Sequence, residues 1–411
     1  MNSDIINECI NVIITYLSGS IGDKNIISVI LTGSAARNQA TFRYVEGKVS
    51  LESDLDLVIV VKYAAIIKSF ILVKRLSKEI TSDLVKRRLI LSHVSFSVTT
   101  EKALLNSPPS IFYQDLSHNG KVVFGKDIRN TLRSYDTNEI PIQDLYRLLL
   151  NRMIESLEAL VLCGAFEGKL SKHSLNLIFK SLKKLNFAFI QAMLIKEDIL
   201  IFNISKIQTV RSNQLKNQQT LDYLLKSYDE LIAISELQQE NDCSMDTIER
   251  YWRRIISQFD SIMKLLYEIA ESTPTSTSTR SSPHSPPTNI SGSIEKTLFK
   301  NEHLSYRLKT SLMIFLQYFE IRKTREVLWA IIFVIRFGSD HVYFLLYDLF
   351  LSSQSILKVA VGKEDNATYQ QKEQQQYEPF NNTKSCDIYS KKRWLKAYIK
   401  YLSVWKYKTG G

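Results

Sequence analysis

The spacing of apolar residues changes along this chain, and the changes mark its organisation. Early positions follow the three-to-four-residue period of an amphipathic helix, predicted to run roughly from Asp4 to Leu17. Ile27-Ser28-Val29-Ile30-Leu31 is a short β-branched run that reads as a buried strand, and a second strand follows with Leu57-Val58-Ile59-Val60-Val61. Further strands are predicted near Leu91 and Lys121, a long helix over 66–86, and a hairpin over 42–49 with Gly47 near its tip. Beyond Pro141, which suits a helix start, the helical period takes over. It runs to Cys163, with Gly164 as a stop, and continues in later segments to about 271. Strands early and helices late predict an α+β chain, with a mixed-sheet domain over 1–135 and a helical domain over 136–271.

Two stretches have almost nothing to bury. In 272–288, fifteen of seventeen residues are Ser, Thr or Pro, including four of the chain's eight prolines, so 272–296 is predicted to be a disordered linker. A Gln-rich stretch over 369–377 reads as a polar loop. The region 297–411 is then a helical C-terminal region whose last helix is basic and aromatic. Trp394, Tyr398, Tyr401 and Trp405 recur at helical spacing beside Lys392, Lys396 and Lys400. Over 384–408 there are eight Lys or Arg against one acid, Asp387. Such a helix suits RNA, an acidic partner or an anionic membrane surface, but an aromatic stripe of this kind is more often buried in its own domain.

At 411 residues, 45% apolar and 23% charged, with a net charge of +11, the composition is that of a soluble globular protein of two or three domains. Cys9, Cys163, Cys243 and Cys386 lack paired spacing, which speaks against a zinc site and fits a reducing, cytoplasmic setting. No secretory peptide is predicted, and the most apolar run, 327–335, stops short of the ~20 residues that a membrane span needs.

The candidate chemistry lies around the first two strands. Asp54 and Asp56 stand one residue apart, so on a strand they project to one face while Leu55 and Leu57 enter the core. Two such carboxylates repel unless something positive lies between them, and a hard divalent cation held by oxygens meets that need. Gly33-Ser34 closes the preceding strand into a turn from which Ala35-Ala36-Arg37 can start a helix. N–H groups at a helix start favour phosphate, Gly33 permits close approach, and the Ser34 hydroxyl and the Arg37 guanidinium can reach the same anion. A triphosphate held at Gly33 and Ser34 and bridged by metal to Asp54 and Asp56 is a coherent chemical expectation.

Gly33-Ser34-Ala35-Ala36-Arg37, a spacer, and Ser53-Asp54-Leu55-Asp56-Leu57-Val58 resemble the signature of the nucleotidyltransferases of the DNA polymerase β superfamily. The similarity is greatest to the stand-alone bacterial and archaeal members related to antibiotic adenylyltransferases, with weaker echoes over 112–116, 120–127 and 149–152. The resemblance implies a polymerase β-like domain with a mixed sheet, followed by helical domains. It also implies transfer of a nucleoside monophosphate, AMP in the first instance, from a magnesium-bound NTP (ATP) to a hydroxyl of a small molecule or protein. On this resemblance Asp54 and Asp56 are the magnesium ligands and catalytic residues, and Gly33, Ser34, Arg37 and Ser53 bind the NTP. A homodimer is in keeping with it, since related enzymes share an active site across subunits.

Enzymes of that superfamily usually carry a third carboxylate on a later strand, and here 89–98 contains no acid. Ser95 and Ser97 stand where an Asp is expected, and a neutral hydroxyl is a poor metal ligand and no base at pH 7. Glu155 is the leading candidate for the base, with Glu158 on the same helical face and Asp115 behind them; His93 offers another. The alternatives are a slow two-carboxylate site or a domain that binds nucleotide without turnover. The resembling enzymes build one wall of the acceptor cleft from helices, and 175–194, with Lys180, Lys183, Lys184 and Asn186, is expected to occupy that wall. Three function classes therefore stand: a nucleotidyltransferase acting on a small molecule or protein, a nucleotide-binding sensor or scaffold, and an RNA-end nucleotidyltransferase. The basic terminus favours the last, but no recognised RNA module accompanies it.

Overall fold

A computed structural model of the protein describes residues 2–45, 47–167, 171–203, 218–237 and 245–272, with single positions between 343 and 402. The linker expected over 272–296, most of the C-terminal region, the apolar run over 327–335, Trp394 and Trp405 lie outside the described residues. The chain divides into two compact units, Met1–Pro141 with Ile201–Ser212, and Ile142–Leu200 with Asn213–Gly411. Residue 135 does not end the first unit. The Tyr135 ring packs edge-on against Tyr113 with centroids 5.3 Å apart, and its carbonyl accepts from Gln114 Nε2 at 2.5 Å.

The first unit is α+β. Its elements are α1 (Asn2–Ile21), β1 (Ile26–Thr32), α2 (Gly33–Ala36), β2 (Phe42–Val45), β3 (Lys48–Leu51), β4 (Leu55–Val61), α3 (Ile66–Lys86), β5 (Val94–Thr100), α4 (Glu101–Leu105), α5 (Ile111–Asn119) and β6 (Lys121–Gly125). Four strands form one mixed sheet in the order β5-β4-β1-β6. β1 runs antiparallel to β4 and β6, while β4 and β5 are parallel. A parallel pair needs a long crossover, and α3, over the predicted 66–86, supplies it.

Strand alternation gives the sheet two faces with different jobs. Val29, Leu31, Leu55, Leu57, Ile59, Val61 and Val94 point to one face. There Cys9, Ile13 and Leu17 of α1 and Val73, Leu76, Ile80 and Leu84 of α3 cover them. Ile30, Val58 and Val60 point to the other face, against Leu104 of α4 and Tyr113 and Leu116 of α5. Burial pushes the Cys9 thiol up to about 12, so it behaves as a small apolar residue.

The expected hairpin is present as β2 and β3, with Gly47 at φ +83° in the turn region. Arg43 and Glu52 form an ion pair at its base. Two hydrogen bonds, Leu51 N–H to the Leu89 carbonyl at 2.9 Å and Leu91 N–H to the Leu51 carbonyl at 2.8 Å, tie its end to the segment before β5. That tie explains why the strand expected from residue 89 starts only at Val94. Leu51 forms an isolated bridge with Ile90, and the extended run is broken before β5 begins.

The second unit is helical: α6 (Ile142–Leu162), α7 (Lys172–Lys196), α8 (Gln218–Leu237) and α9 (Met245–Ser272). α6 starts directly after Pro141, and Gly164, at φ +72°, follows its end, as the Pro and Gly positions predict. Ile248, Trp252, Ile255, Phe259, Ile262 and Leu266 make the buried stripe of α9. Trp252 Nε1 donates to Ser353 Oγ at 2.8 Å, and its ring meets Phe350 at 5.1 Å. Polar ties within the unit include two buried ones: Ser156 Oγ donates to the Ser181 carbonyl at 3.2 Å, and Asn186 Nδ2 donates to Ser227 Oγ at 3.1 Å. Tyr398 of the basic aromatic segment is buried, in line with the core reading of its stripe. Among the described residues no helix is long and apolar enough to cross a membrane.

The two-faced packing makes a stability prediction. Ile59 is fully buried in β4, whereas Ile67 on α3 is 66% exposed. Ile59→Ala is expected to lose about 2–5 kcal/mol and Ile67→Ala no more than about 0.5 kcal/mol, read as the shift of the first urea transition followed by far-UV circular dichroism.

Candidate functional site

The strand register brings the sequence motifs together. Thr32, the last residue of β1, pairs with Asp56 on β4, and Asp56 pairs with Ser95 on β5. Asp56 therefore lies on the face of Val58 and Val60, at the end of that apolar row, and it alone in β4 is not buried. Asp54 stands one residue ahead of β4 rather than within it. Its Oδ1 lies 3.2 Å from His93 Nδ1, the residue just before β5.

Gly33 faces Asp56 directly. Its φ of +69° is a conformation that L side chains rarely adopt, and a Cβ placed on it would lie 2.7 Å from Asp56 Oδ2. The missing side chain is the space that the carboxylate occupies. The helix that follows differs from the expected one: it starts at Gly33, not Ala35, and ends at Ala36 after a single turn, with Arg37 as its C-cap. The Arg37 N–H donates to the Gly33 carbonyl at 3.2 Å. One turn has little macrodipole, so any attraction for an anion here comes from the first N–H groups of the bend and from nearby cations.

Arg37 is held on several sides within this unit. Its Nη1 donates to Asp115 Oδ2 on α5, its Nε donates to Gln39 Oε1 at 3.1 Å, and its guanidinium lies over the Phe202 ring at 5.9 Å. Asn119 Nδ2 donates to the other Asp115 oxygen at 2.9 Å. Burial pushes the Asp115 carboxyl above its ordinary value; Arg37 and Asn119 oppose that rise, and the nearby charge of Asp56 adds to it. Gln39 and Asn119 sit two and four residues from Arg37 and Asp115, and Phe202 far along the chain, but no motif in the sequence singled out any of the three.

Other expected residues have plainer places. Ser53 Oγ accepts from the Thr41 N–H at 2.8 Å, and the Ser53 carbonyl accepts from Ser92 Oγ at 2.7 Å, so Ser53 ties the hairpin base to the segment before β5. The Ser95 hydroxyl donates to Asp56 Oδ1, while Ser97, two residues on, is exposed. Ser34 is half-buried in the bend. Glu155 belongs to the second unit, where Arg152 Nη1 donates to its Oε2 at 2.5 Å. Of the expected cationic wall, Lys184 is exposed and Lys180 and Lys183 are half-buried, but Asn186 is fully buried and bonded to Ser227, so it belongs to the helical core.

The donor set bears on a metal. Among the described residues no three His, Cys, Asp or Glu side chains converge on one point. Asp54 and Asp56 nevertheless offer hard anionic oxygens at the start of β4, a central strand of the sheet. Two carboxylates with water and substrate phosphate completing the shell is an arrangement that magnesium commonly takes. The residues fit such an ion when a phosphate ligand accompanies it.

No protein-family model matches the chain, and no curated protein matches it. Among solved structures the chain is similar to spectinomycin adenyltransferase AAD(9) from Enterococcus faecialis, determined with ATP and spectinomycin. The two are 15% identical over 62% of this chain and 99% of that one, with a TM-score of 0.34.

The bend makes the sharpest structural prediction of the site. Gly33→Ala must both adopt a positive φ and displace the Asp56 carboxylate, so it is expected to lower stability by about 1–3 kcal/mol. Ala35→Gly, in the same turn at ordinary helical geometry, is expected to cost about 1 kcal/mol. Paired thermal melts of the two variants check the order.

Proposed function

We propose that the first unit is a nucleotidyltransferase that moves a nucleoside monophosphate, AMP in the first instance, from a magnesium-bound NTP to a hydroxyl of a small molecule or protein. The observation that carries this reading is the juxtaposition at the end of β1 and β4. A left-handed glycine in a Gly-Ser bend faces Asp56, and Asp54 stands two residues earlier. That is the pairing of phosphate cradle and carboxylates that the resemblance to polymerase β-type nucleotidyltransferases requires.

The chain's own groups divide the work. The N–H groups of the bend and the Ser34 hydroxyl bind and orient the triphosphate, and Arg37 stands close by on the same turn. Asp54 and Asp56 would hold magnesium, which when bound would neutralise charge on the phosphoryl oxygens. The acceptor hydroxyl oxygen bonds to the α-phosphorus as the bond to the β-phosphate oxygen breaks, and pyrophosphate leaves. β5 supplies no base for the hydroxyl proton, since Ser95 donates its own hydrogen to Asp56.

A second reading draws on the same Ser95. A serine in register with Asp56, where an acid would be expected, suits a domain that binds nucleotide without turning it over.

Asp54→Asn with Asp56→Asn is expected to reduce magnesium-dependent pyrophosphate release at least about a hundredfold, while circular dichroism stays native. Label from the α-phosphate of ATP, followed onto a panel of hydroxyl-bearing acceptors, measures transfer. Binding of magnesium-ATP with no pyrophosphate release under any of these conditions selects the second reading.

A further inference from the structure

We propose that Asp115 is a positioning residue that holds the Arg37 guanidinium ready beside the Gly33 bend, where it meets the phosphate oxygens of a bound triphosphate. This rests on the nucleotidyltransferase reading above and assigns a task to an acid that the reading leaves unused.

Asp115 has the surroundings of a clamp rather than of a metal ligand or a base. Its side chain is only 14% exposed, and both carboxylate oxygens are taken, Oδ2 by Arg37 and Oδ1 by Asn119 at 2.9 Å. It belongs to no cluster of three potential metal ligands among the described residues. A proton acceptor for a substrate hydroxyl needs an oxygen within hydrogen-bond reach of that hydroxyl, and both of these already accept from the protein. The carboxylate is also firmly mounted. Tyr113 and Leu116, its neighbours on α5, are packed against Ile30, Val58 and Val60 of the sheet.

Arg37 has the matching need. A long, flexible cation at the end of a one-turn helix loses much rotamer freedom when it must grip an anion. Here that freedom is already removed. Nη1 is fixed by Asp115, Nε by Gln39 at 3.1 Å, and one face lies over Phe202, while Nη2 has no partner among the described residues. A guanidinium held on one edge with another edge unused is arranged to form a charge-assisted bond without further ordering. The carboxylate also offsets the cation, so the pair can stand half-buried before any phosphate arrives.

The test is a double-mutant cycle in the full chain, with equilibrium binding of magnesium-ATP as the readout. Asp115→Asn, which keeps the side chain's size, is expected to weaken binding about tenfold, as is Arg37→Ala. The combined variant is expected to bind no more weakly than Arg37→Ala alone, because Asp115 acts through Arg37. Asp115→Glu, still anionic, is expected to recover part of the loss. If Asp115→Asn fails to fold, Asn119→Ala, which frees one oxygen of the clamp, is expected to weaken binding by about threefold. Wild-type affinity in Asp115→Asn overturns the proposal, as do single losses that multiply in the double variant. A fall confined to kcat with binding unchanged does so too, and makes Asp115 a base. Failure of the wild-type protein to bind magnesium-ATP at all instead overturns the nucleotidyltransferase reading on which the proposal stands.

Discussion

The site depends on one close approach: a carboxylate oxygen of Asp56 occupying the space where residue 33 has no side chain. Two independent conditions meet there. The antiparallel register of β1 and β4 places Asp56 opposite Thr32, and the chain must then turn through a left-handed conformation that glycine adopts at little cost. Any larger residue at 33 would move either the bend or the carboxylate, and with them the distance between the two. A one-residue slip of β4 would be worse, since it would turn Asp56 into the apolar layer under α1 and α3.

The sheet separates stability from chemistry by its two faces. The α1 and α3 side carries the larger apolar core and no acid of the site. The α5 side begins as core, with Tyr113 and Leu116 on Ile30 and Val58, and ends in charge, with Asp56 and Asp115. Acids so close raise each other's energy, and the burial of Asp115 adds to the cost. Arg37 compensates for Asp115, while His93 stands by Asp54. Such local conflict is balanced here by specific partners rather than removed. Ser95 belongs to the same balance: a neutral donor on Asp56 adds no further negative charge.

The helical unit is built on a different principle. Its described helices meet through long apolar stripes, and two of its buried polar contacts are internal, Asn186 with Ser227 and Trp252 with Ser353. Asn186 shows the limit of helical periodicity. Its neighbours Lys183 and Lys184 suggested a polar face, but α8 packs on α7 at that position and a serine receives the amide. A polar letter in a sequence does not say whether water or another side chain satisfies it.

The amino-acid sequence by itself determined the α+β order of elements, the helix over 66–86, the hairpin, and the helix bounded by Pro141 and Gly164. Each of these follows from neighbours along the chain, through the periods of two and 3.6 and the backbone limits of Gly and Pro. Only the tertiary structure decided that α2 is a single turn, that Asp54 precedes its strand, and that Arg37 is joined to Asp115, Gln39 and Phe202. Arg37 and Asp115 are 78 positions apart, and nothing in either local sequence selects the other. They meet because the register of the sheet and the seating of α5 on its second face bring their backbones within reach, and burial then makes the ion pair the arrangement that satisfies both charges.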